Sequence, residues 1–329
     1  GTKTYATAID GCGAPVYAMT LSGLARAIQR IGTSSERSPF ALHRSAGALV
    51  RAVRENPWAI DGSGRADTVV IERLGVFAKG GAEGAGRFRL SDPEDRSTYT
   101  SAQGYHDNVM NPALPSTFAF VERVVQDLVA LHREAGVPLR NLHVGGDEVP
   151  GGVWQGSPAA QAYVKEHRLG SVDDLWYVFY GRVAEILKPH GIPLSGWEEI
   201  ALRTTRLDGR PRMIPNPGFA DRGWRAYVWN NVPGGGAEDL AYRLANGGYK
   251  VVLCPVTNLY LDLAWNQNPE ETGLDWGGFV DLKKPFEFVP FDYYRNVRLD
   301  RHGNPVDRNV FVGKDRLTDF GRSNVLGIQ

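Results

Sequence analysis

Charge of one sign is what this sequence most plainly lacks: 37 lysines and arginines are balanced by 37 aspartates and glutamates. With no basic excess to hold a phosphate backbone, nucleic acid is not expected as a partner. Cysteine is scarce too, with Cys12 and Cys254 alone among 329 residues. Two thiols so far apart make no disulfide framework, and neither has metal-ligand spacing. Cys254 follows the apolar run Val251-Val252-Leu253 and reads as core. No apolar run is long enough to span a bilayer, so no membrane partner is expected. The amino end, Gly1-Thr2-Lys3-Thr4, lacks a starting Met and the apolar stretch of a signal peptide, as processing or truncation would leave it. Gly234-Gly235-Gly236 lacks the Lys-Ser/Thr of a phosphate loop. The polar stretch Tyr105-His106-Asp107-Asn108 lacks the helical His spacing of zinc sites. Hence neither a metal nor a cofactor is expected.

What is present is ordinary globular composition, 42% hydrophobic and 22% charged, arranged as alternating strands and helices. Residues 116–136 read as a helix capped by Ser116, with Val121, Val124, Val125, Leu128 and Leu131 at helical spacing and Gly136 and Pro138 as stops. The strand Asn141-Leu142-His143-Val144 follows. Ser171 caps a second helix with Leu175, Val178, Phe179, Val183, Ile186 and Leu187 inside, stopped by Pro189 and Gly191. Trp176 lies in mid-helix and reads as core. Residues 193–197, 225–229 and 249–254 read as further strands, and 237–246 as a helix. Repeated βα units imply a parallel sheet. That pattern alone does not separate a closed barrel from an open, doubly wound sheet.

His143-Val144-Gly145-Gly146-Asp147-Glu148 is the most informative stretch. A strand, two glycines and two acids are how an α/β protein presents carboxylates at the carboxyl end of a parallel strand, where ligands bind in barrels. Neighbouring side chains on an extended strand point to opposite faces. Asp147 and Glu148 therefore share a ligand only if the strand ends there. The alternative is a loop with an acidic helix cap. His143 is either a ligand-facing residue or a buried, hydrogen-bonded brace behind the acids.

His-x-Gly-Gly-Asp-Glu resembles the signature of the family 20 glycoside hydrolases, the β-N-acetylhexosaminidases and chitobiases. Leu90-Ser91-Asp92-Pro93-Glu94-Asp95, Tyr99-Thr100-Ser101 and Asn108-Val109-Met110-Asn111-Pro112 resemble the segment before that signature. Gly196-Trp197-Glu198-Glu199, Val228-Trp229, Asn258-Leu259-Tyr260-Leu261-Asp262 and Asp275-Trp276-Gly277 resemble the family's sugar-pocket motifs. The resemblance implies a (β/α)₈ TIM-barrel fold in one catalytic domain over 1–329. Residues 85–329 match well, and 1–84 are divergent or degenerate.

The resemblance also implies chemistry. In this family the substrate assists: the carbonyl oxygen of an N-acetyl group on sugar carbon 2 attacks carbon 1 and forms an oxazolinium ion. Glu148 is then the expected general acid/base. Asp147 is expected to accept a hydrogen bond from the acetamido N–H and to stabilise the developing positive charge. Adjacent carboxylates repel, so one is expected to hold its proton more tightly, which suits an acid at neutral pH. Trp197, Trp229 and Trp276 are expected to stack on the sugar, Tyr260 to donate to the acetamido oxygen and Asp262 to bond ring hydroxyls. Trp58, Trp154, Trp176, Trp224 and Trp265 are left as structural or rim residues. The expected partner is a small-molecule or oligosaccharide substrate with a terminal N-acetylhexosamine. Family analogy points to an extracellular or periplasmic location. Oligomeric state is not legible.

The ends depart from the family pattern. Residues 57–66 read as a degraded copy of the family strand Pro-Glu-Ile-Asp-Met-Pro-Gly-His-Ala, with Arg65 at the position of its histidine. The arginine-bearing first strands are not found. The last strand, Gly-x-Gln-x-x-Leu-Trp-x-Glu in the family, would begin at Gly327-Ile328-Gln329. Missing or degenerate first and last strands are therefore expected, and with them the alternative of a truncated, catalytically impaired homologue that at most binds amino sugars.

Overall fold

The computed structural model describes residues 6–9, 15–18, 21–62, 66–76, 89–207 and 209–329. Cys12 and Arg65 lie outside the described residues. The chain packs as two compact units, Gly1–Ala85 and Gly86–Gln329, where the sequence suggested one domain over 1–329. The boundary falls where the family resemblance begins.

In the first unit, β1 (Ala6–Ile9) and β2 (Pro15–Ala18) form an antiparallel pair. Helices α1 (Leu21–Gly32), α2 (Ala41–Glu55), α3 (Trp58–Asp61) and α4 (Ala66–Leu74) follow. Helix α2 buries Gly47, Val50 and Val53. A Cβ on Gly47 would stand 2.6 Å from the Glu36 nitrogen, so only glycine fits. Among the described residues of 57–66 there is no strand: 58–61 are helical, and the Thr68 hydroxyl donates to the carbonyls of Pro57 and Gly62 at 3.1 and 2.8 Å, which fastens α4 to that turn.

In the second unit, helix α5 (Pro115–Glu134) begins at proline, whose fixed φ suits a first helical position. The Ser116 hydroxyl does not cap it but donates to the Arg89 carbonyl at 2.5 Å. Val125 is buried, whereas Val124 and Leu131 are exposed. The inward stripe is narrower than the periodicity suggested and runs through Phe118, Val121, Val125 and Val129.

Strand β3 (Leu142–His143) pairs in parallel with β4 (Leu194–Trp197). Between them lie α6 (Pro158–His167) and α7 (Leu175–Leu187). Ser171 caps a short 3₁₀ turn, 172–174, that feeds α7, its Oγ accepting from the Asp173 nitrogen. An antiparallel hairpin, β5 (Leu202–Leu207) and β6 (Arg210–Pro215), interrupts the alternation. Then come β7 (Arg225–Val228), α8 (Leu240–Asn246), β8 (Lys250–Leu253), α9 (Val256–Leu259), α10 (Lys283–Phe286), α11 (Asp319–Arg322) and β9 (Val325–Ile328).

The main sheet is parallel, in the order β3-β4-β7-β8-β9. Among the described residues it has these five strands and two open edges. The stretch 325–328, where the family's last strand was expected only to begin, does form a strand on β8. Apolar residues of β4, β7 and β8 meet α7 and α8 in one core that includes Val183, Leu187, Leu194, Ala226, Leu244 and Leu253. Four of the tyrosines buried there donate their hydroxyls to carbonyls: Tyr242 to Pro290, Tyr249 to Asn216, Tyr293 to Glu238 and Tyr294 to Asp315. A buried hydroxyl without such a partner would be costly. The Gly234–Gly236 loop wraps a carboxylate, since the nitrogens of Gly234 and Gly236 donate to Glu238 Oε1 and Lys314 pairs with Oε2.

Candidate active site

Strand β3 has only two assigned residues, but its pairing with β4 runs further. The Val144 nitrogen donates to the Ser195 carbonyl at 2.8 Å, and the Trp197 nitrogen donates to the Gly145 carbonyl at 3.0 Å. The chain then swings off the sheet through Gly145 and Gly146, at φ 74° and 106°. A Cβ on Gly146 would lie 2.5 Å from Tyr180 Oη, so the glycine also permits close approach of α7. Asp147 and Glu148 follow directly, both exposed at the carboxyl edge of the sheet. Glu148 sits at φ 51°, a left-handed conformation that costs a non-glycine residue ~1–2 kcal/mol.

Two more acids stand at the end of the neighbouring strand. Glu198 and Glu199 open the 3₁₀ turn 198–201 after β4. Glu198 is 3% exposed. Its carboxylate accepts from the nitrogens of Trp229 (2.8 Å) and Asn230 (3.2 Å), which ties the end of β4 to the end of β7. Burial, and then the charge of Glu199, push its pKa up to about 8. Glu199 Oε1 accepts from the Glu148 nitrogen at 3.4 Å, while its Oε2 is buried without a partner among the described residues. Burial lifts Glu199 to about 7, and the charges of Asp147 and Glu148 push the same way.

The expected sugar-binding residues fall into two groups around the acids. His143 lies edge-on to Trp197 (4.8 Å) and Tyr227 (4.7 Å). Its Nδ1 accepts from the Gly145 nitrogen at 3.2 Å, so the neutral ring carries its proton on Nε2, which is buried without a partner among the described residues. Burial lowers its pKa and keeps it neutral, against the opposing charge of Asp147. The second group is Trp229, Trp276 and Tyr260, with ring centroids 5.8 and 6.0 Å apart about Trp276. Trp276 is carried there by the loop after β8: the Leu274 nitrogen donates to the Asp262 carbonyl, and the Ala264 nitrogen donates to the Leu274 carbonyl. Asp262 is exposed at the rim. Burial, with the charges of Glu198, Asp262 and Asp147 adding to it, keeps the Tyr260 hydroxyl protonated and able to donate. Asp147 thus acts electrostatically on members of both groups.

Beside the acids is a cavity of about 330 Å³. Its walls differ from those the motifs suggested. Asp147 and Glu148 line it with Met110, Trp154, Trp176 and Tyr180, and the two aromatic groups do not. Trp176, read as core, is half-buried and faces this cavity, edge-on to Tyr180 at 5.1 Å. Trp154 is buried and donates its indole N–H to the Met110 carbonyl at 3.0 Å. Trp224 is core, and Trp58 and Trp265 are exposed. Gln103, which the sequence did not single out, donates to Glu148 Oε2 at 2.7 Å. Nothing in its local sequence marks it, because a 45-residue gap separates it from its partner. Glu198 and Glu199 did carry a signal, a second acid pair directly after a strand. Among the described residues no group of three His, Cys, Asp or Glu could hold a metal ion. The arrangement offers one exposed acid pair, buried acids behind it and indole faces on the same sheet edge, which suits acid–base work on a ring with apolar faces.

Comparison with known proteins agrees with that reading of the motifs. The catalytic-domain profile of glycosyl hydrolase family 20 matches residues 75–314. A second profile, L-asparaginase II, matches residues 1–97 and so covers the stretch 57–66 that had been read as a family strand. A β-hexosaminidase of Vibrio vulnificus is 34% identical over 262 residues, 77% of this chain and 28% of its own length. The N,N'-diacetylchitobiase of Vibrio harveyi is 28% identical over 269 residues, 71% of this chain and 28% of its own. A crystal structure of a Vibrio harveyi exo-β-N-acetylglucosaminidase in complex with N-acetylglucosamine has a TM-score of 0.53 and 30% identity, covering 73% of this chain and 30% of that one. The chain therefore spans under a third of the length of these relatives. With most of its length matched to the catalytic-domain profile, the chain belongs to glycosyl hydrolase family 20.

Proposed function

We propose that residues 86–329 act as an exo-glycosidase that releases terminal β-linked N-acetylhexosamine, GlcNAc or GalNAc, with retention of configuration through an oxazolinium intermediate. The observation that carries this reading is the exposed Asp147-Glu148 pair at the carboxyl edge of a parallel sheet whose neighbouring strands end at Trp197 and just before Trp229. The relative crystallised with N-acetylglucosamine supports the sugar class.

Each group has one task. Glu148 gives its proton to the leaving oxygen as the bond from sugar carbon 1 breaks. The acetamido oxygen forms the new bond to that carbon. Asp147 accepts from the acetamido N–H and balances the charge that builds on the ring. Water then attacks carbon 1, the bond from that carbon to the acetamido oxygen breaks, and Glu148 takes the proton of the water. Tyr260 donates to the acetamido oxygen, Asp262 accepts from ring hydroxyls, and the indoles cover the apolar sugar face. His143, neutral and held at the strand end, backs Trp197.

The direct test is release of nitrophenol from p-nitrophenyl N-acetyl-β-glucosaminide, measured against Glu148→Gln. Equal rates would remove the hydrolase reading and leave sugar binding alone. Substrate assistance has its own test. Asp147→Asn is expected to slow N-acetylglucosaminides by ~10–100-fold, since one charge-assisted hydrogen bond to the reacting group is lost. Equal slowing on a glucoside lacking the acetamido group would count against the nucleophile being the amide.

A further inference from the structure

The Glu148 backbone lies in the left-handed region, although a longer side chain gains nothing there. Something must hold it. The glycines before it free the turn but do not select its end point. In the one hydrogen bond described for it, the Glu148 nitrogen donates outside its own loop, to Glu199 Oε1 3.4 Å away. Glu199 is itself well placed to act as an anchor. It sits on the turn just after β4, its flank Ile200 is fully buried, and Ile200 packs against the positions where Gly146 and Gly196 have no side chain.

Resting on the hydrolase reading above, we propose that Glu199 is a positioning residue for the acid/base: its carboxyl holds the Glu148 amide, and with it the direction in which the Glu148 side chain leaves the strand end. Glu199 touches no substrate in this arrangement and acts through Glu148. It is also electrically coupled to its surroundings. Asp147 and Glu148 face it from the loop after β3, Tyr180 from α7 and Glu198 from its own turn. All of these are acidic or neutral, and its buried Oε2 has no donor among the described residues. A carboxyl in that setting keeps its proton to about pH 7.

The experiment compares Glu199→Ala and Glu199→Gln in the full chain. Glu199→Ala removes the acceptor and is expected to lower kcat by ~10–100-fold with little change in KM, as a misdirected catalytic group does. Glu199→Gln keeps an acceptor oxygen and is expected to restore most of kcat. It also removes the titration of Glu199 itself, so the limb that this group contributes to the pH–rate profile near pH 7 is expected to disappear. A merely structural role would lower the thermal midpoint in both variants and leave the profile unmoved. A second readout needs no activity: the Glu148 amide resonance of a chain labelled with ¹⁵N-glutamate, identified by its loss in Glu148→Gln. It is expected to shift in Glu199→Ala and to lose a titration near neutrality in Glu199→Gln. Wild-type kinetics in both variants, or an unmoved amide resonance, overturns the proposal. If the unaltered chain does not hydrolyse the sugar at all, the hydrolase reading falls and the amide resonance alone decides Glu199.

Discussion

Glu148→Gln is expected to reduce kcat by ~10²–10⁴-fold, the range over which a positioned general acid/base contributes. The amide is nearly isosteric and keeps the hydrogen bond from Gln103, now onto an uncharged oxygen. It cannot give a proton to the leaving oxygen or take one from water. The loss should depend on the leaving group. A nitrophenolate departs with little help, so its glycoside should lose least in the first step. A sugar alkoxide needs the proton, so chitobiose-type substrates should lose most. KM should change little, because Glu148 is expected to act in the transition state rather than in ground-state binding. A loss that is the same for every leaving group would show that Glu148 is not the proton donor. Steady-state kinetics on a nitrophenyl glycoside and on a disaccharide measure both.

The second large effect is on stability. Glu198→Ala is expected to destabilise the second unit by about 2–6 kcal/mol, the cost of leaving two buried backbone donors without their acceptor. Its carboxylate is the acceptor for two backbone donors, those of Trp229 and Asn230. Removing it orphans both at a buried strand end, each at ~1–3 kcal/mol. Glu198→Gln should cost less, since one oxygen remains. Chemical denaturation measures the difference, and a variant as stable as the parent would show that water replaces the carboxylate at no cost. The same residue predicts a pH dependence. Burial lifts Glu198 to about 8 and Glu199 to about 7, both above the 4.5 of an ordinary glutamate. A carboxyl that binds its proton more tightly in the fold than in the unfolded chain stabilises fully below its unfolded pKa and loses that stabilisation as pH rises through its folded pKa. The thermal midpoint is therefore expected to fall between about pH 4.5 and 8, and the fall should flatten in Glu198→Gln/Glu199→Gln. A double variant with an unchanged slope would place the titrating groups elsewhere.

Much of the second unit is legible in the sequence. The strands ending at Trp197 and Val228 and the helix stopped by Pro189 and Gly191 lie close to where periodicity and stop residues put them. Those elements are long or apolar enough for local pattern to dominate. The hairpin of β5 and β6 was missed, because Leu202–Leu207 and Arg210–Pro215 are polar on much of their length and their pairing is with each other rather than with the core. Residues 57–66 were misread for the opposite reason. A short Pro-Trp-Ala-Ile-Asp stretch fits a strand motif by letter, while its backbone closes a helical turn with Thr68.

The linear chain by itself determined where two adjacent acids leave the sheet: a strand, two glycines and two acids need no long-range information, because strand alternation, glycine freedom and carboxylate charge are local properties. What it could not determine is what surrounds them. That Glu198 binds the end of β7, that Glu199 reaches the Glu148 amide and that Trp176 rather than Trp229 walls the cavity beside the acids depend on contacts across 31, 51 and some 30 residues. Those contacts arise only when parallel strands come into register and α7 packs over Gly146, and that is a property of the folded layers rather than of any segment within them.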